Sequence, residues 1–216
     1  MISVLKLTAP ASYSIIEYIL ENPTASQIEI AKHAHVSRSM VNYIVRDLSL
    51  RGVVSQSGKG RMRLQDPLKL LEALSFERPL KSLIVEEFHT EQSDVKLVEH
   101  QIRNAADKSG SSYAFTCFSA LSKYINYYLT YPTVHAYSDK PKELRSKITE
   151  GRGAVNVKIL EPDIPQILKE THLVDGLKIE EPVQTVIDLF CLGEEGRDGA
   201  MKLYEEVTKI EPTLKQ

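Results

Sequence analysis

Between Arg38 and Arg63 the chain carries six basic residues, Arg38, Arg46, Arg51, Lys59, Arg61 and Arg63, against one acid, Asp47. A guanidinium presents a planar two-donor fork that matches guanine O6 and N7, and a carboxamide such as that of Asn42 can bond adenine N6 and N7. Lysine, arginine and hydroxyl side chains equally hold phosphate oxygens. A cluster so little diluted by acid attracts polyanions. The excess is regional: residues 1–66 hold eight Lys/Arg against five Asp/Glu, whereas the rest of the 216-residue chain holds 19 against 24.

Three helices and a hairpin are expected to position these groups. Ser12–Leu20 places Ile15, Ile16, Tyr18, Ile19 and Leu20 at near-helical spacing and ends at Asn22-Pro23, where a residue before proline disfavours helix. Ser26-Gln27-Ile28-Glu29 has the form of a capping box opening a second helix. After a break at His35-Val36, Ser37 caps a third helix, Arg38–Leu50, with the apolar stripe Val41, Ile44, Val45 and Leu48. That stripe leaves Arg38, Ser39, Asn42, Tyr43 and Arg46 facing outward. Val53–Gln56, a turn Ser57-Gly58-Lys59-Gly60, and Arg61–Leu64 form a hairpin with glycine-bearing turn chemistry.

Helix, helix, helix, hairpin is the order of a winged helix-turn-helix, whose third helix enters the major groove while the wing lies along the backbone. The candidate DNA-binding set is therefore Ser26, Gln27, Ser37, Arg38, Ser39, Asn42, Tyr43, Arg46, Lys59, Arg61 and Arg63. Arg38, Asn42 and Arg46 carry potential base readout. Lys59, Arg61 and Arg63, with Ser26 or Gln27, are assigned to phosphates. Tyr43 stays open between a thymine methyl or sugar and packing against the wing. A three-helix unit with exposed arginines also serves as a protein-docking module; confinement of the basic residues to the third helix and wing favours double-stranded DNA.

Pro67 after Asp66 opens a connecting helix that Glu77-Arg78-Pro79 closes. Strands are then expected at 80–88, 113–118, 133–137, 155–160 and 177–179, with helices at 93–107, 119–128, 142–149, 182–192 and 197–209. The predicted organisation is a winged-helix domain at 1–66, a connector at 67–79 and a second domain at 80–216. The fold class is α+β overall: an N-terminal winged helix-turn-helix followed by an α/β C-terminal domain with a mixed sheet.

Catalytic constellations are weak in this second part. Gly110-Ser111 is not followed by the paired carboxylates that a nucleotidyltransferase needs for Mg²⁺. Glu161 and Asp163 offer acids, but the lysine of a nuclease site, Lys158, precedes them. The histidines lack ligand spacing, and Cys117 and Cys191 sit in apolar stretches as reduced core thiols. No enzyme activity, metal or cofactor is expected. The chain has no run of eighteen apolar residues and no signal-peptide pattern, so it is expected in the cytoplasm, away from membranes.

From Ile30 onward the pattern Ile-x-x-His-x-x-Val-Ser-x-x-x-Val-x-x-x-Val-x-x-Leu-x-x-x-Gly-Val-Val resembles the winged helix-turn-helix of bacterial and archaeal transcription regulators generally. Two further segments, Tyr113–Ala120 and Glu181–Leu189 with Gly196-Arg197-Asp198-Gly199-Ala200, resemble the AbiEi family. The resemblance covers nearly the whole chain. It implies a winged-helix repressor of its own operon with a C-terminal antitoxin domain, whose partner is a nucleotidyltransferase-like toxin of a type IV toxin-antitoxin system. Its strongest part contains Gln184, Asp188 and Arg197. Gln184 and Asp188 share a helix face, and the three residues form either an internal network or a partner contact. Gly199 departs from the family, which tends to carry an acid or amide there. A homodimer on inverted-repeat DNA is a further expectation. A DNA-processing enzyme or a pure protein-interaction module are the competing readings.

Overall fold

The computed structural model describes residues 5–127 and 132–210, without the side chains of Lys59, Lys209 and Ile210. They fall into two compact units, one made of the chain to Arg78 with the residues from Tyr204 onward, the other of Pro79–Leu203.

In the first unit α1 (Pro10–Glu21), α2 (Gln27–His33) and α3 (Arg38–Leu50) are joined by a three-stranded antiparallel sheet of order β1-β3-β2. Its strands are β1 (Thr24–Ser26), β2 (Val54–Ser57) and β3 (Arg61–Leu64), with one 3-10 turn, Gly58–Gly60, between the last two. Tyr13, Ile15, Ile16 and Ile19 of α1, Ile30 of α2 and the stripe Val41, Ile44, Val45 and Leu48 of α3 are all buried and make up the core of this unit. At roughly 25 cal/mol per Å² of apolar surface removed from water, such side chains supply the main drive for folding. The capping box forms: Glu29 N–H donates to Ser26 Oγ at 3.2 Å, and Ser26 N–H donates to Glu29 Oε2 at 2.7 Å.

Two features differ from the sequence reading. β1 was not expected; three residues are too few to show a period, and only pairing with β3 makes them a strand. The helix expected as a connector, α4 (Pro67–Glu77), belongs to the first unit. It buries Leu70, Leu71 and Leu74, Glu77 Oε2 accepts from Leu7 N–H at 2.8 Å, and Arg78 lies over the Tyr13 ring at 5.7 Å. The division therefore falls after Arg78, and the second unit stops short of the chain end.

The second unit is built on a six-stranded mixed sheet of order β4-β7-β6-β5-β9-β8. The strands are β4 (Ile84–His89), β5 (Tyr113–Thr116), β6 (Thr133–Ser138), β7 (Asn156–Leu160), β8 (Thr171–Val174) and β9 (Leu177–Glu180). The β6–β7 and β5–β9 pairs are parallel and the other neighbours antiparallel. One face packs Phe115, Ala136, Val157 and Ile159 against Val98, Ile102 and Leu144 of α5 (Val95–Ser109) and α7 (Pro141–Arg145). The other elements are α6 (Cys117–Tyr124), α8 (Pro182–Cys191) and α9 (Glu194–Ile210), the end of which groups with the first unit.

Leu80–Leu83, expected as strand, is a 3-10 turn, and α6 begins at Cys117, inside the expected strand. Tyr128, the expected end of that helix, lies outside the described residues. The 142–149 helix is shorter, ending at Arg145. Strand β8 was missed although Asp175-Gly176 is a two-residue hairpin signal; both residues have positive φ, 52° and 75°, as a type I′ turn requires.

Candidate nucleic-acid interface

The α2–α3 connection turns at His35, whose φ of 51° is left-handed, and α3 starts at Ser37, where Met40 N–H donates to Ser37 Oγ at 3.2 Å. Arg38, Ser39, Asn42, Tyr43 and Arg46 are all exposed. Arg38, Asn42 and Arg46 recur every four residues and so form one line along the helix. Asp47, the one acid of this stretch, is held by Arg51 Nε at 2.6 Å. Among the described residues the side chains of Arg38, Asn42 and Arg46 make no hydrogen bond or ion pair, which leaves their donors to an external ligand. Tyr43 is 47% exposed and has an internal contact.

On β3, Arg61 and Arg63 are exposed and alternate with buried Met62 and Leu64. The antiparallel register places Ser26 and Ser57 on either side of Arg61, and Thr24 and Ser55 on either side of Arg63. Two rows of hydroxyl, guanidinium and hydroxyl thus cover one face of the sheet, and neither guanidinium has a partner among the described residues. Strand positions that carry cations and hydroxyls in this arrangement suit phosphate oxygens. Thr24, Ser55 and Ser57 were missing from the sequence reading because their flanking places depend on strand register. Gln27 is a correction: only 9% exposed, it is turned into the unit and does not join this face. The Lys59 side chain lies outside the described residues.

In the second unit Gln184 and Asp188 are buried, at 3% and 0% exposure. Gln184 Nε2 donates to Asp188 Oδ1 at 2.7 Å, and Thr116 Oγ1 and Tyr137 Oη donate to Asp188 Oδ2 at 2.9 and 2.7 Å. The carboxylate is thereby enclosed by donors from α8, β5 and β6. Arg197 is exposed and lies over the Phe190 ring at 4.9 Å. Gly199 has a packing reason: a Cβ there would sit 2.8 Å from Leu121 Cδ2.

Strand register also aligns Thr116, His135, Lys158 and Glu87 in one row across β5, β6, β7 and β4. Neither ring nitrogen of His135 has a partner among the described residues. Burial, reinforced by the Lys158 charge and opposed by Asp188 and Glu87, pushes the imidazole down to about 4. Burial likewise pushes the Cys117 thiol well above its ordinary value, with the Asp188 and Glu180 charges adding to it. Lys158 faces Glu87 Oε1 at 3.6 Å, and the Asn156 amide holds the Glu87 carboxyl below its ordinary value. Among the described residues no group of three or more His, Cys, Asp or Glu side chains is placed to hold a metal, and no helix is long and apolar enough to cross a membrane.

Residues 11–55 match a family model described as winged helix-turn-helix DNA-binding. The match runs from α1 into β2 and contains the exposed line of α3. No curated protein matches the chain. The first unit is thus a winged helix-turn-helix DNA-binding domain.

Proposed function

We propose that this chain is a sequence-specific transcriptional regulator of the AbiEi antitoxin type, acting in the cytoplasm and repressing its own operon. The observation that carries the specific part of this reading is the line Arg38, Asn42 and Arg46: exposed, uncommitted, and relieved of Asp47 by Arg51. These are the side chains that discriminate bases in the major groove. The Arg61 and Arg63 rows supply sequence-independent attachment and register.

The antitoxin part rests on the resemblance of Tyr113–Ala120 and Glu181–Ala200 to that family. In this reading the second unit binds a nucleotidyltransferase-like toxin and does no chemistry of its own. Gln184 and Asp188 serve it from inside, as the network that sets α8 on the sheet, because buried side chains do not reach a partner.

The test is a titration of the protein onto its own upstream DNA and onto a scrambled duplex by fluorescence anisotropy at several salt concentrations. Tighter binding to its own sequence, with affinity falling steeply as salt rises, is the expected result. Equal binding to both duplexes would reject a specific regulator, and co-purification with a toxin encoded beside it tests the antitoxin half separately.

A further inference from the structure

A groove of about 450 Å³ lies beside α5 in the second unit, within the range of roughly 300–1,000 Å³ that small-molecule sites occupy. His100, Asn104 and Lys108 recur every four residues and so line it from one side of the helix, with Gln101 beside them. The segment after α7 adds Lys147 and Thr149. None of the described residues that line the groove is Asp or Glu, although residues 67–216 hold 24 acids against 19 Lys/Arg.

Elsewhere in this unit Lys123, Lys158 and Lys202 each face a carboxylate, at 3.3, 3.6 and 2.8 Å. Lys108 and Lys147 do not: among the described residues no polar side chain of the groove makes a hydrogen bond or an ion pair. Gln101 Oε1 is moreover shut off from solvent without a donor. Such an unmade bond is costly, and the terminal torsion of a glutamine is soft enough to turn the oxygen toward an arriving N–H. Two ammonium groups without a counter-ion call for an anion. The carboxamides of Gln101 and Asn104 each offer a donor and an acceptor, the combination that a nucleobase edge matches. Leu97, 55% exposed at the same groove, supplies apolar surface for the face of a ring.

We propose that this groove binds a nucleoside phosphate, with Lys108 and Lys147 on the phosphate and Gln101 and Asn104 on the base. The site lies wholly within the second unit and does not depend on the DNA-binding reading.

Calorimetric titration of the full chain with AMP, GMP, CMP and UMP tests the proposal. At least one of the four is expected to bind in the submillimolar range, with its nucleoside and inorganic phosphate each at least roughly tenfold weaker. Lys108→Gln combined with Lys147→Gln is expected to bring the nucleotide down to the affinity of its nucleoside, whereas Asn104→Ala lowers both. All three side chains are exposed, so circular dichroism should show an unchanged fold. A DNA backbone is the other source of phosphate, and the salt slope of duplex binding separates the two: the doubly substituted chain is expected to keep the slope of the parent. Absence of nucleotide binding at millimolar concentration would overturn the proposal. So would a nucleotide affinity indifferent to either substitution, or inorganic phosphate that binds as well as the nucleotide. A salt slope lowered by about two would make the groove a DNA contact and overturn it equally.

Discussion

Tyr137 Oη donates to Asp188 Oδ2 at 2.7 Å, joining β6 to α8 through a carboxylate with no exposure to solvent. Thr116 and Gln184 complete the enclosure, so each donor removed leaves an acceptor site that buried surroundings do not refill. Tyr137→Phe is expected to cost about 1–3 kcal/mol of stability by that rule, read as a lower urea midpoint. In a cycle with Gln184→Leu the two losses should not add, because both donors serve one carboxyl group. Additive losses would show that the network does not act as a unit.

His135 makes stability depend on pH. Its folded value near 4 lies below the ordinary 6.5, so the unfolded chain takes up the proton first as pH falls. The contribution is fully present above about pH 6.5 and is lost progressively between 6.5 and 4. A shift of that size corresponds to about 3 kcal/mol at most. Urea titrations at pH 7 and pH 4.5 should therefore show a larger loss for the parent chain than for His135→Leu, and equal losses would contradict the burial argument.

Arg46 and Arg61 should fail differently. Arg46→Ala is expected to cost about 1–3 kcal/mol on the specific duplex and little on a scrambled one, as a base-reading fork does. Arg61→Ala should weaken both duplexes alike and reduce the salt slope by about one, the signature of a phosphate contact. Anisotropy titrations on the two duplexes separate the outcomes.

Gly196 is required by the approach of α9 to α8: a Cβ there would lie 1.9 Å from the Leu189 carbonyl oxygen. Gly196→Ala is expected to destabilise by about 3 kcal/mol, in the range of an overpacked core. Gly58→Ala is the control, since nothing lies within 4 Å of its added carbon. A thermal melt in which both variants behave like the parent would remove the packing argument.

Local patterns made much of the first unit legible. Helix α3 runs from Arg38 to Leu50 as its stripe and the Ser37 cap indicate, and Ser26 with Glu29 closes the expected box. These features depend on contacts three or four residues apart, which a chain displays in its order. Asp175-Gly176 was equally readable as a hairpin signal, and β8 was lost only because Thr171–Val174 is short.

What the sequence by itself determined was the set of side chains left outside α3, because a helical period turns every fourth residue to the same side. The line Arg38, Asn42, Arg46 follows from that alone. Only the tertiary structure decided which residues lie inside or beside one another at long range. Pairing with β3 set Thr24, Ser26, Ser55 and Ser57 around two arginines, packing drew Gln27 inward, and α4 joined the first unit. Strand order placed His135 beside Thr116 and Lys158, and α8 closed Asp188 over Tyr137 from fifty-one positions away. The physical reason is that burial and register arise from surfaces meeting across the chain, and residue spacing carries no record of which surfaces meet.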